Sequence, residues 1–402
     1  MNLQDVGVYN LSETTIKQIL KAMKKRTAFF LLGLAMTTAA GAQEQIESPI
    51  VTEKDFVWYT EQKEAWRAAT ERNPQDETAW MNYYNAARYM GWWGTSSDSL
   101  AHQVVVEMGR AIPATYTYNK CAYMAIKLGH GEGIDADSYA ETALAMLPDK
   151  MTLSDYNEWV SYLAMKGQQE RMSQMAKRFF DSGLYSESVL RYSYNELAGM
   201  DEGGIVIVSG DAAVIPKWII QEGMGQHRDK TIVCAPFLAV KEYREWLFGK
   251  LGIDVPEWNV ADGYDVLERT LLQAIIDRYG SKVYFSSTTP SSSMAPWKAN
   301  LYNEGLLLKY SPKPYDNMAV KRRNVEQRYL LEYLLVAFRP DWTSGQRLSA
   351  NYAVLLADLL PYYAKHDRQR FGWLMHLLVQ AVTNTSMTED EKQPYLNLLT
   401  VE

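Results

Sequence analysis

Three prolines divide the first half of the chain into helical segments of nearly equal length. Asn73-Pro74-Gln75-Asp76 precedes a Trp80/Tyr83/Tyr84/Ala87 stripe, Ile112-Pro113 precedes Tyr116/Asn119/Tyr123, and Leu147-Pro148-Asp149 precedes Tyr156/Trp159/Tyr162. A proline ring and its missing N–H stop a helix from running through, so each proline closes one helix ahead of the next. The prolines lie 39 and 35 residues apart, and the same register reaches another break at Ser182-Gly183. A unit in the mid-thirties holding a pair of helices predicts helical hairpins over residues 43–200, with the aromatic stripes as packing residues.

The spacing resembles degenerate tetratricopeptide-like repeats, although the small-residue consensus of that family is only partly present, as at Ala86-Ala87. An irregular helical bundle is the alternative. Stacked hairpins bury a core between them and leave a concave face for partners. Trp92 and Trp93, between Gly91 and Gly94, form a candidate interaction surface if exposed, against simple packing between repeats.

The pattern changes at Asp201-Glu202-Gly203-Gly204. Residues 204–209, 231–234 and 282–286 are short β-branched or apolar runs that read as buried strands, with a fourth at 305–310. Helices are expected between them, at Pro216 to Glu222, Val240 to Leu251 and Tyr264 to Tyr279, with Pro216 in a first turn. Alternation of strand and helix predicts a small, mostly parallel, Rossmann-like α/β sheet over residues 201–315. Residues 316–402 return to helix, with amphipathic stretches at 322–338, 348–365 and 368–383. The fold class expected is therefore mixed: helical repeats, a small α/β sheet and C-terminal helical hairpins.

Within the second half, Ile205 to Asp211, Pro216-Lys217-Trp218 through Gln221-Glu222, and Arg228 to Val233 stand in the order strand, Gly-Asp turn, Pro-x-Trp helix, Arg-x-Lys-led strand. Val283-Tyr284-Phe285-Ser286, the Tyr302 to Leu306 segment and Asn351-Tyr352-Ala353 follow in turn. This order resembles the soluble C-terminal region of bacterial protein-O-mannosyltransferase-like membrane proteins, a domain-of-unknown-function family, over roughly Glu202 to Val382. The resemblance implies a shared module of the cell envelope and a link to envelope glycosylation. The membrane spans where that family would transfer sugar have no counterpart here, and Gly210-Asp211-Ala212-Ala213 replaces its Gly-Asp-Asn-Asp turn.

Ligands of open α/β sheets favour the carboxyl ends of the strands. Asp211, Ser286, Ser287, Thr288 and Thr289 would stand there and could hold a sugar by hydrogen bonds. In the plainer reading, Gly210 permits a tight turn and Asp211 caps a helix. Glu222, Arg228 and Asp229 read as an ion-pair cluster, and Lys321-Arg322-Arg323 as a solvated helix start. The histidines show no H-x-H or H-E-x-x-H spacing, so no metal site and no cofactor is expected, and no residue is assigned a catalytic role. Cys121 and Cys234 both fall in apolar patterns and are expected as buried thiols, a disulfide being the alternative.

At the N-terminus, Lys24-Lys25-Arg26, the apolar run from Ala28 to Met36 and Ala40-Gly41-Ala42 have the order of a cleaved secretory signal over residues 1–42, with Met23 as the natural start. The run is about half the length a membrane-spanning helix needs. Without residues 1–42 the chain holds 36 basic and 46 acidic residues, a net charge near −10. Such a balance argues against nucleic acid and against anionic membranes. The expectation is a periplasmic, or else extracellular, interaction protein with a protein partner in the envelope, without catalytic activity of its own. A glycan-binding or glycosylation-accessory role, and then an envelope-polymer hydrolase, are the alternatives.

Overall fold

A computed structural model describes residues 43–93, 97–127, 135–259, 261, 263–335 and 342–399. The expected signal segment, residues 1–42, lies outside the described residues, as do the side chains of Trp92 and Trp93. The helices of the first half are α1 (Phe56–Arg72), α2 (Glu77–Tyr89), α3 (Ser97–Ala111), α4 (Tyr116–Lys127), α5 (Ala136–Ala145), α6 (Leu153–Met165), α7 (Gln169–Asp181) and α8 (Glu187–Gly199).

Side-chain caps set the repeat. Asp76 accepts from the Thr78 and Ala79 N–H groups, Thr115 from Tyr118, and Ser186 from Val189, while Thr152 and Asp155 form a capping box. Each cap satisfies backbone donors that the first helical turn leaves without partners. The capped helices α2, α4, α6 and α8 therefore begin at intervals of 39, 37 and 34 residues, and α3, α5 and α7 pack back on the first three. The aromatic stripes fill the space between hairpins. Trp159 is fully buried, stacks on Tyr123 at 5.9 Å and donates its indole N–H to the Tyr116 hydroxyl at 2.9 Å. Tyr156 stacks on Phe179 at 4.7 Å.

From Asp201 the chain builds β1 (Ile205–Val208), α9 (Asp211–Glu222), β2 (Thr231–Cys234), α10 (Lys241–Leu251), α11 (Tyr264–Tyr279), β3 (Val283–Ser286), the single turn α12 (Ser291–Met294), β4 (Leu301–Asn303) and β5 (Leu307–Tyr310). The strand order is β2-β1-β3-β5-β4. β1 pairs in parallel with both β2 and β3, with Val206 opposite Ile232 and Tyr284. β5 and β4 add an antiparallel hairpin at the edge, with Leu308 opposite Phe285 and Asn303. Every residue of β1 and β3 is buried, as expected of central parallel strands covered on both faces. One hydrophobic core runs from Trp80 through the hairpins and the sheet to Trp342.

Three expectations need correction. Helix α9 starts at Asp211, five residues before Pro216, because Gly210 takes a positive φ of 88° and turns the chain directly into it. Pro216 thus sits inside the helix. The 322–338 stretch is not one helix: α13 (Asn317–Arg323) widens into a π turn at Asn324–Arg328 and ends at the extended Tyr329. The basic run closes α13 rather than opening a helix. Lys321 is buried against Asp358 at 2.8 Å, and Arg322 stacks on the Tyr362 ring at 4.0 Å.

Beyond it, α14 (Thr343–His366) and α15 (Arg368–Thr383) form the expected hairpin, with Asp367 capping α15 through the Arg370 N–H, and α16 (Glu389–Leu399) follows. Their leucines make a second core with Tyr352 and Tyr363. Among the described residues no helix is long and apolar enough to cross a membrane. Cys121 and Cys234 are buried and unbonded, and burial pushes both thiols up to about 12. Ellman's reagent is expected to leave both unmodified in the folded protein and to react with both in 6 M guanidinium. Reaction of either in the native state would contradict the packing.

Candidate functional site

Because β1 lies between β2 and β3, the chain reverses its direction of travel across the sheet at β1/β3, where an open α/β sheet normally leaves a ligand crevice. Here helix α8 occupies that position. Ser286 Oγ donates to Glu196 Oε1 at 2.6 Å, and Lys217 Nζ of α9 bonds Glu196 Oε2 at 2.6 Å and the Ala213 carbonyl at 2.9 Å. The Ser287 and Tyr192 hydroxyls are 3.0 Å apart, Thr289 Oγ1 donates to the Ile207 carbonyl at 3.0 Å, and Thr288 Oγ1 donates to Ser286 Oγ at 3.0 Å. The four hydroxyls at Ser286, Ser287, Thr288 and Thr289 are therefore brought together, but each is engaged with protein atoms. Asp211 is exposed in the first turn of α9. Of the expected ion-pair cluster, Arg228 reaches Glu222 at 3.7 Å, while Asp229 pairs with Lys230 and accepts from the Gly203 N–H.

An open cleft lies elsewhere among the described residues. A cleft of about 940 Å³ runs along α2 and across the first turns of α4 and α6. Its floor carries a buried polar network between neighbouring hairpins. Asp155 Oδ1 accepts from Lys120 Nζ at 2.6 Å and the Tyr116 hydroxyl at 2.7 Å, and Asp155 Oδ2 accepts from the Thr152 N–H and hydroxyl, both at 2.7 Å. Lys120 is 1% exposed and reaches Ser154 as well. Burial works to raise the Asp155 pKa, but the Lys120 ammonium and these donors outweigh it and hold the carboxyl below its ordinary value. This network is fully used in joining α4 to α6.

The walls are apolar and adaptable, with Met81, Met146, Met151, Leu153, Leu184 and Trp342 facing the space. Met146 and Leu184 are among the few exposed large apolar side chains, at 39% and 44%. Methionine's flexible thioether suits surfaces that accept varied apolar groups. Trp342 is held in place by Tyr185, 4.8 Å between ring centres.

A non-helical arm, residues 45–51, borders one side of the cleft. Asn82 of α2 accepts the Ile46 N–H at 2.7 Å and donates to the Thr78 carbonyl at 2.8 Å, and the Ile46 side chain packs with Tyr59, Ala86, Tyr89 and Met90. The arm's other end crosses to α14, where the first N–H groups, of Thr343 and Ser344, bond the Val51 and Ile50 carbonyls at 2.9 and 3.0 Å.

The asparagines of this cleft were not legible as site residues, since an Asn within an aromatic helical stripe has no signature of its own. Thr152-x-x-Asp155 is a recognisable capping box, but its buried Lys120 partner depends on a contact across 35 residues. The donors and acceptors of the cleft suit hydrogen bonding to an amide-bearing ligand, and its walls suit apolar side chains. No family model, no curated protein and no solved structure matches the chain.

Proposed function

We propose that this chain is an exported interaction protein that uses the cleft to hold an extended peptide segment of a protein partner in the cell envelope. The observation that carries this reading is the arm. The cleft already borders a non-helical segment of the chain itself, held through its backbone by Asn82 and through Ile46 by an apolar pocket. A partner segment beside it would meet the same chemistry: the asparagine amides of α2, and methionine and tryptophan on the walls. The engaged hydroxyls at the strand edge make a sugar site there the weaker reading. By this proposal, residues 202–382 act as the platform that closes the repeats, and a partner in the cell envelope is what their resemblance to envelope glycosylation proteins would imply.

The test is a photoreactive amino acid at Leu184, activated in intact cells. A discrete cross-linked protein that disappears when Met81→Arg fills the cleft is the expected result. The reading fails if no adduct depends on the cleft while a purified small molecule raises the melting temperature.

A further inference from the structure

The capped helices of the repeat can be aligned by their caps, Asp76 for α2 and Ser186 for α8. Nine residues past the cap stands Asn85 in the first and Asn195 in the last. Asn195 is fully buried and clamps a non-helical segment through the N–H and C=O of a single residue: its Oδ1 accepts the Leu330 N–H at 2.7 Å, and its Nδ2 donates to the Leu330 carbonyl at 3.1 Å. That pattern reads polypeptide backbone and is indifferent to the side chain attached. One turn from Asn85, Asn82 performs half of the same operation on Ile46.

Asn85 itself is 7% exposed and lines the cleft, and its side-chain amide makes no hydrogen bond with a described residue. Its Oδ1 and Nδ2 are not among the sealed, unpartnered polar atoms of the interior, so they open to the cleft, where a ligand's N–H and C=O can pair with both. We infer that Asn85 is a backbone clamp for a partner's extended, apolar peptide: Oδ1 takes the N–H and Nδ2 gives to the C=O of a single residue, as Asn195 does for Leu330. The flanking side chains then rest on Met81 and Tyr89. This rests on the reading of the cleft as a peptide site and adds the residue that fixes register.

The test uses a fluorescein-labelled peptide copying residues 328–334, the segment whose backbone Asn195 holds, added to the full chain. Asn195 keeps its own Leu330, so the added peptide is left to Asn85. Binding followed by anisotropy is expected to weaken about tenfold on Asn85→Ala, the loss of one amide pair in a largely dry site. N-methylation of the peptide's central leucine, which removes only the N–H, should weaken binding to the native protein comparably. It should cause no further loss in Asn85→Ala. The melting temperature of Asn85→Ala should stay within about a degree of the native value, because no internal bond is lost. Binding indifferent to Asn85→Ala but abolished by Leu184→Asp overturns the clamp and leaves the cleft reading standing. Absence of binding to the native protein, strictly additive losses, or a fall of several degrees in melting temperature each overturn the clamp.

Discussion

Glu196→Leu is expected to destabilise the protein by about 3–5 kcal/mol, measured as a shift in the midpoint of urea unfolding at unchanged slope. Glu196 and its partner Lys217 are each 1% exposed and 2.6 Å apart. Removing the carboxylate alone leaves an ammonium in the interior with only the Ala213 carbonyl for compensation, and strips Ser286 of its acceptor. The cost is thus the stranded charge more than the lost attraction. Adding Lys217→Met to Glu196→Leu should restore most of the stability, since two well-packed apolar side chains are often no worse than a buried pair. A double variant as unstable as the single one would show that the pair contributes through attraction. The same three residues fill the end of the sheet where a ligand would otherwise enter, so this cluster exchanges a crevice for a joint between helices and strands.

Asp155→Ala should cost a similar amount, about 3–5 kcal/mol, for a related reason. It strands Lys120 at 1% exposure, removes the capping box of α6 and leaves the Tyr116 hydroxyl without its acceptor. This network also carries a pH signature. The Asp155 carboxyl is held below its ordinary 3.8 in the folded protein, so the folded state binds its proton less readily than the unfolded state. Its stabilisation is complete above about pH 4–5 and is lost as pH falls through the depressed folded value. Melting temperatures taken between pH 6 and 2 should therefore fall more steeply for the native protein than for Lys120→Met with Asp155→Leu. Parallel curves for the two would assign the acid sensitivity to other carboxylates. Because Lys120 and Asp155 form the cleft floor, peptide binding should decline over the same acid range.

Much of the architecture was legible because it is written in local signals. Breaks at Pro74, Pro113, Pro148 and Ser182-Gly183 each precede a capped helix, and the run Tyr264 to Tyr279 is a helix from end to end. The strands at Ile205, Thr231 and Val283 are mostly apolar, with Thr231 and Ser286 at their ends, because their middles are covered on both faces. What escaped was set by distant partners. β4 is only Leu301-Tyr302-Asn303, and nothing but its pairing with β5 makes it a strand. The interruption at Asn324–Arg328 answers to Asn195 and Tyr352, more than a hundred residues earlier and some twenty later, which fix the chain at Leu330 and beyond. Asp211 and residues 286–289 lie at or just after the ends of β1 and β3, but no local pattern discloses that α8 brings Glu196 into the gap. The cleft is legible only as the face that stacked hairpins leave open; its asparagines acquire meaning from the segments they hold.

The contact between the arm and α14 joins backbone groups 292 residues apart in the chain. A bond of that span cannot form until nearly the whole polypeptide is present, and closing so long a loop belongs to the slow end of folding. The Ile46 end of the arm can dock early, since its partners all lie within residues 59–90, but the Ile50 and Val51 carbonyls have no such neighbours and wait for α14. Until then the arm is tethered at one end, and that border of the cleft can swing. The second anchor thus works as a checkpoint on completeness: the binding face is finished only when α14 has been made.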